Sequence, residues 1–503
     1  MANTFINYLD DMSNYEYTEN GAVKRLSTKN PVYDMFVFGG AYRSRSNNDV
    51  ILLFKNAFEE NEILALKCLF YLRDCRGGQG ERRFFRVCMR WLAENYPDRI
   101  RHLIKYIPEY GRYDDLFALF DTSLEKDVID LIKKQLTTDM ASSKNGISLI
   151  AKWLPSENAS NAYTIAKARK IRKAIGITAK DYRKMLSKLR EKIKVLEKLM
   201  SANRWEEIEF DKIPSRAGMI YANAFARRDI IAKKYEEFIK NKNTKVNANV
   251  LYPYEVVSKA LKHFRDPVNS TERMAINKYW ENLPDYLEGK DCSMLCVVDT
   301  SGSMIGSNAA APINVAISLG MYCAERIGYP FKNHYISFSS EPQFIKIEGV
   351  DFVDKVQRIF RSNLCDNTNL EAVFDLILNS IKYNNVKKED IPKTLVVISD
   401  MEIDAGTSTW IWNSTKNRTW TKENAETDME RIRQSWKAMG YELPRLVYWN
   451  VDARHNTILD SGPNVSFVSG MSPVIFKSIL TGKNGWDLCL ETIMSDRYND
   501  IEY

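Results

Sequence analysis

The sequence predicts two domains of different class, an all-α helical-repeat region over residues 1–285 and a doubly wound α/β domain over residues 286–503. Three observations carry this expectation. The chain has 503 residues, too many for one ordinary hydrophobic core. Apolar residues recur at three- and four-residue steps through much of the first part, and beyond Lys290 they gather into short β-branched runs alternating with helical stretches. The charge is uneven as well: the net +7 divides into +12 over residues 1–289 and −5 over 290–503, where 22 Lys+Arg face 27 Asp+Glu.

Composition narrows the class further. Apolar residues at 45% and charged residues at 27% are the balance of a globular chain. No run of eighteen apolar residues occurs, so no membrane span is expected. The opening Met1-Ala2-Asn3-Thr4-Phe5 lacks a basic region followed by an apolar one and does not read as a secretion signal. The eight cysteines are scattered without paired metal-type spacing, which predicts free thiols and a cytoplasmic location.

Residues 1–60 carry no clear period, although Val32 to Phe38 is apolar and aromatic. Helical periodicity begins at Asn61, with Ile63, Leu66 and Phe70 and then Phe84, Val87, Cys88 and Trp91. Between the two runs lies Arg76-Gly77-Gly78-Gln79-Gly80-Glu81-Arg82-Arg83. A second break, Tyr110-Gly111-Arg112-Tyr113-Asp114-Asp115, follows about one helix pair later. Helix pairs at such intervals suggest HEAT-like stacking, although no exact sequence repeat is visible. The longest expected helix runs from about Ala179 to Met200, its apolar stripe formed by Tyr182, Met185, Leu186, Leu189, Ile193, Leu196 and Leu199. Arg183, Lys184, Lys188 and Arg190 lie mostly off that stripe. Residues 161–245 concentrate 23 basic against 10 acidic side chains, a +13 excess that makes a polyanion the natural partner. Solvated lysines on a surface helix would give the same local pattern.

In the C-terminal half, Leu295–Val298, Tyr335–Phe338, Leu395–Ile398 and Leu446–Trp449 read as strands. Helical stretches near 311–327, 369–383 and 425–438 separate several of them, which indicates a parallel sheet covered on both faces. A linker is expected near Asn282–Lys290. The first of these strands runs into Asp299-Thr300-Ser301-Gly302-Ser303, so a carboxylate and two hydroxyls converge at the C-terminal end of a parallel strand. Oxygen donors of this kind suit a hard cation, Mg²⁺ or Mn²⁺. Two more loops supply candidates: Thr368 precedes the helix beginning at Leu370, and Asp400 ends the strand Leu395–Ser399.

These three loops, in this order, resemble the metal-ion-dependent adhesion site of von Willebrand factor A domains, over roughly residues 290–503. The resemblance implies that Ser301, Ser303 and Thr368 bind the ion directly, that Asp299 and Asp400 act partly through water, and that one position is left for an acidic group of a protein ligand. The glycine usual shortly before the threonine is replaced around Cys365-Asp366-Asn367. Trp410, Trp412 and Trp420 lie in a polar stretch, 406–427, either as a ligand platform on the rim of the site or packed on the domain's own surface.

The first half resembles the TROVE module of the Ro autoantigen family, in its plant, viral and phage branch. The resemblance rests on Arg73 to Arg82, Tyr110 to Leu116, Lys152-Trp153-Leu154-Pro155-Ser156, Tyr182-Arg183-Lys184 and Lys212 to Ala217, and covers about 70–230. It implies helical repeats closing into a ring, and binding of small non-coding or misfolded RNA. The expected RNA-contacting residues are Arg76, Arg82, Arg83, Arg112, Lys152, Arg183, Lys184, Lys188 and Arg190. Gly77-Gly78-Gln79-Gly80 is not a nucleotide-binding loop, because no Lys-Ser/Thr follows it. The four histidines (His102, His263, His334, His455) have no nucleophile or metal-ligand spacing, so no enzyme is expected. The rival expectation is a metal-dependent interaction or assembly component, for example of a phage or virus, without an RNA role.

Overall fold

The computed structural model describes residues 13–142, 146–262, 270–288, 293–306, 308–338, 341–362, 369–384, 386–404, 428–460 and 462–502. The chain divides into two compact units that do not follow chain order. The first comprises residues 1–68, 251–268 and 283–499, and the second 69–250, 269–282 and 500–503.

The first unit is built on a six-stranded sheet with the order β5-β4-β3-β6-β7-β8. Its strands are β3 (Met294–Asp299), β4 (His334–Phe338), β5 (Phe344–Lys346), β6 (Thr394–Ser399), β7 (Arg445–Asn450) and β8 (Val465–Ser469). All neighbours pair in parallel except the β4–β5 edge, which is antiparallel. Strand β3 is buried at every position, as expected for a strand covered on both faces. The expected helices appear as Pro312–Arg326, Leu370–Asn384 and Asp428–Ala438. Strand order runs outward in opposite directions from the β3–β6 pair, and ligands bind open α/β sheets at such a switch point.

The expectation of a single N-terminal domain over 1–285 differs from this division. The helix Pro31–Gly39 is buried at eight consecutive positions, Val32 to Gly39. A helix covered all round has no apolar stripe, which is why Pro31–Gly39 shows no period, whereas the helix Asn47–Glu60 does carry one in its buried Val50, Leu53, Phe54, Ala57 and Phe58 that the sequence reading missed. Helix Pro31–Gly39 packs on the edge strand β8: the Tyr33 hydroxyl accepts from the Phe467 N–H at 3.2 Å, and the Gly40 N–H donates to Ser469 Oγ at 3.0 Å. A Cβ at Gly40 would meet the Ser469 carbonyl oxygen at 2.6 Å, so only glycine permits this approach. Ahead of the helix, β1 (Tyr15–Tyr17) and β2 (Val23–Arg25) form a small antiparallel hairpin. A local signal for the following helix Asn47–Glu60 was present in Ser46-Asn47-Asn48-Asp49, which forms a capping box.

The second unit is helical throughout its described residues. Helix Arg82–Asn95 packs on the short 3₁₀ segment Tyr113–Leu119, Ala162–Ile175 on Glu125–Ala141, and Ser215–Arg227 on Asp229–Lys240 and Ser270–Glu281. The single helix expected over Ala179–Met200 is two, Ala179–Lys192 and Leu196–Ser201. Lys194 takes a left-handed conformation with φ 47°, and the Val195 N–H reaches back to the Arg190 carbonyl at 3.1 Å, which closes the first helix. Leu196 and Leu199 after the turn are buried, as are Tyr182, Leu186 and Leu189 before it.

Among the described residues no helix is long and apolar enough to cross a membrane. Cys68, Cys75, Cys88, Cys296, Cys323 and Cys489 are free thiols.

Candidate metal centre and basic surface

Registers across the parallel strands place Asp299 beside β6 where Ser399 ends it, and Ser399 beside Asn450 of β7. This row forms the C-terminal lip of the sheet. Asp299 is fully buried and Asp400 is 1% exposed, so two carboxylates face each other out of water. Burial, and next the neighbouring Asp400 charge, push the Asp299 carboxyl up to about 7. Three groups hold it in place. The Ser301 N–H donates to Oδ1 at 2.8 Å, the Ser399 hydroxyl donates to Oδ2 at 2.5 Å, and the Met401 N–H in turn donates to Ser399 Oγ at 2.9 Å. The Ser301 and Ser303 hydroxyls lie 3.0 Å apart, so both oxygens can serve one point.

The donor chemistry fits a divalent cation. Buried carboxylates that repel one another, flanked by two hydroxyls, are relieved by positive charge. Among the described residues no group of three or more His, Cys, Asp or Glu is arranged to hold a metal, and the set here is instead two carboxylates with hydroxyls. Thr368 and the tryptophans at 410, 412 and 420 lie outside the described residues.

Sequence reasoning missed four participants. Ser399 is one, although its place immediately before Asp400 at a strand end was a signal. Arg454, Glu402 and Glu19 are the others. Arg454 Nη2 donates to Asp400 Oδ2 at 2.8 Å, and its Nη1 lies 3.4 Å from Glu19 Oε2. The Glu402 N–H donates to Asp400 Oδ1 at 3.2 Å. Nothing local in the sequence ties Glu19 to residues 400–454.

If this lip holds a divalent ion, Ser399 orients Asp299 without belonging to the donor set, so Ser399→Ala should weaken its affinity by about tenfold or more while the protein stays folded. Titration calorimetry with Mn²⁺ on the full chain checks this, and an unchanged affinity would remove Ser399 from the site.

In the helical unit the structure draws together sequence motifs that lie about forty residues apart. Arg73 bonds Asp115 through Nε at 2.8 Å and Nη2 at 2.6 Å, both side chains being buried. Arg86 reaches Asp115 at 2.7 Å and Asp114 at 2.8 Å. Arg112 pairs with Asp114 at 3.2 Å and lies 4.0 Å above the Trp153 ring, with the Lys152 ammonium 5.6 Å from the same ring. Gly111 allows the close passage, since a Cβ there would meet Asp115 Oδ2 at 2.4 Å. Arg82 stands one turn before Arg86 on the same helix; its side chain reaches solvent, but partial desolvation of its guanidinium and next the Arg86 charge lower its proton affinity. Arg76 is exposed and donates to the Glu109 carbonyl, and Arg83 is half-buried.

The other expected RNA contacts separate into two kinds. Arg183, Lys184 and Lys188 are exposed on the helix Ala179–Lys192. Arg190 is half-buried and committed: it donates to the Ala151 carbonyl at 2.8 Å and the Leu154 carbonyl at 2.9 Å, tying its helix to Lys152-Trp153-Leu154. Much of the surrounding basic excess is locally paired, as in Arg172–Glu157 at 2.7 Å, Lys198–Glu191 at 2.6 Å and Arg204 with Glu191 and Glu207 at 2.5 Å each.

The fold and site thus define a two-unit protein, one unit helical and the other an α/β sheet with a polar lip at its switch point. Comparison with known proteins divides the chain in sequence order instead, so that one matched family spans parts of both compact units. Residues 293–499 match a domain of unknown function, DUF7788, and residues 18–109 and 157–291 match another, DUF2828. The chain is similar to uncharacterized protein L728 of Acanthamoeba polyphaga mimivirus, 28% identical over 516 residues, covering 94% of this chain and 86% of the relative.

Proposed function

We propose that the protein is a non-enzymatic RNA-binding protein of the Ro type. Its helical unit is the TROVE-like part, contacting phosphates of small structured or misfolded RNA. Its α/β unit is a von Willebrand A-type domain that holds Mg²⁺ or Mn²⁺ and an acidic partner. The observation that supports RNA binding is the arginine cluster: Arg73, Arg82, Arg86 and Arg112 gather around Asp114 and Asp115, close to Trp153. That surplus of guanidinium charge, with the exposed cations of the helix Ala179–Lys192, suits backbone contacts to single-stranded or looped RNA. Metal binding is supported by the buried Asp299–Asp400 pair with its two hydroxyls. Asp299, Ser301, Ser303, Thr368 and Asp400 would hold the ion, which would supply a positive point for a partner carboxylate.

The rival is a metal-dependent assembly component without RNA. The local ion pairing within 161–245 favours it, because paired lysines and arginines are less available to phosphates. The absorbance ratio at 260 and 280 nm of the purified full chain separates the two. Co-purified nucleic acid, removed by ribonuclease, is expected. For the α/β unit, capture of a partner should be lost with chelator and with Thr368→Ala, and capture indifferent to both would mean that another surface is used.

A further inference from the structure

The lip of the sheet contains an arginine where a metal site needs room. Asp400 uses both oxygens already, Oδ1 accepting from the Glu402 N–H at 3.2 Å and Oδ2 from Arg454 at 2.8 Å. Arg454 is not fixed by Asp400 alone. Its second terminal nitrogen faces Glu19 at 3.4 Å, and His455 Nε2 lies 3.1 Å from the other Glu19 oxygen. Glu19 belongs to the turn of the β1–β2 hairpin, which is seated on the loop after β6. The Glu19 N–H donates to Glu402 Oε2 at 2.9 Å, Asn20 Nδ2 to the Glu402 carbonyl at 2.8 Å, and the Thr18 hydroxyl to the Ile403 carbonyl at 2.6 Å. Gly21 and Asp404 pair as an isolated antiparallel bridge.

The charges around Arg454 are one-sided. Asp400, Glu19, Glu402 and Asp452 surround it, with Arg43 as a further cation in the field of Asp452. Asp299 adds its carboxyl next to Asp400. One guanidinium therefore provides charge balance that a divalent ion would otherwise provide.

We propose that Arg454 is an internal counter-cation that competes with the divalent ion for Asp400, and that Glu19 of the N-terminal hairpin sets the strength of this competition by drawing Arg454 away. The inference rests on the metal reading above. Metal entry then requires Arg454 to exchange Asp400 for Glu19, a choice made available by the two terminal nitrogens of one side chain. The position of the hairpin is thereby linked to metal affinity.

Titration calorimetry of Mn²⁺ into the full chain tests this, with circular dichroism to confirm folding. Removing a positive charge this close to the ion should tighten binding in Arg454→Gln by at least about tenfold. Glu19→Gln leaves Arg454 wholly to Asp400 and should weaken binding several-fold. Glu16→Gln, an exposed carboxylate on the same hairpin, should change little and controls for general charge. Binding by Arg454→Gln where the wild type shows none would also support the proposal. Equal or weaker binding in Arg454→Gln, with the wild type binding, overturns it and leaves the metal site standing. Absence of binding in every form overturns both. If Arg454→Gln does not fold, Glu19→Gln decides alone, and unchanged or tighter binding there overturns the proposal.

Discussion

Replacement of Asp299 by alanine should abolish Mg²⁺ and Mn²⁺ binding. Asp299 is the fully buried carboxylate of the set, held by the Ser301 N–H and the Ser399 hydroxyl, and its charge balances the ion. The loss should exceed about a hundredfold in affinity, larger than any effect expected from a residue that only orients the donors. The full chain is the proper sample, because a fragment beginning at 285 would strip the helix Pro31–Gly39 from the β8 edge. Equal affinity in wild type and Asp299→Ala would remove the metal assignment.

The same carboxyl should make metal binding pH-dependent. With its proton affinity raised to about 7 by burial and by Asp400, Asp299 is protonated below that value and the ion must displace a proton. Affinity should fall by up to about tenfold for each pH unit below that point. Without metal the sign for stability is opposite. A carboxyl whose folded value is raised stabilises the protein at acid pH and loses that contribution as pH rises to about 7. Metal-free wild type should thus lose stability relative to Asp299→Asn between pH 5 and pH 8, by an amount on the order of a few kcal/mol. Urea unfolding at the two pH values, with chelator present, measures it. A pH-independent difference would mean that Asp299 is ionised throughout.

RNA binding should be strongly salt-dependent and nearly indifferent to base sequence. If Arg183, Lys184 and Lys188 each neutralise a phosphate, the triple change to Gln should reduce the slope of log affinity against log salt by up to about two units. All sequences should weaken alike. Arg190 should behave differently, although it is only two residues beyond Lys188. Its guanidinium bonds the Ala151 and Leu154 carbonyls, so Arg190→Gln should leave the slope unchanged and cost about 1–3 kcal/mol of stability. Filter binding over a salt series, with thermal unfolding of each variant, separates the two behaviours. A flat salt response of the full chain near physiological ionic strength would leave the assembly reading in its place.

Local pattern was sufficient for some of this. Near-continuous β-branched runs such as Leu395–Ile398, alternating with helical stretches, read as strands buried on both faces, and the acid-and-hydroxyl loop Asp299 to Ser303 follows another such strand. The helix from Ala179 was legible from its stripe, but its break at Lys194 was not, because apolar residues continue at helical spacing through the turn and are buried on both sides of it. Arginines were legible as charge only. Whether a guanidinium faces solvent, as in Arg183, or clamps carbonyls, as in Arg190, depends on which acceptors the fold brings within reach.

By itself, then, the sequence determined four of the six strands of the sheet and the helices between them, where the basic excess lies, and which oxygen-bearing loops follow those strands, since each of these depends on neighbours within a few turns of chain. Only the tertiary structure decided that residues 1–68 belong with the sheet rather than with the helices that follow them. It also decided that Ser399 holds Asp299, and that Arg454 and Glu19 meet at Asp400. The physical reason is the same in each case. A helix buried all round has no period to read, and a hydrogen bond or ion pair between residues fifty or more apart leaves no mark on the residues beside it.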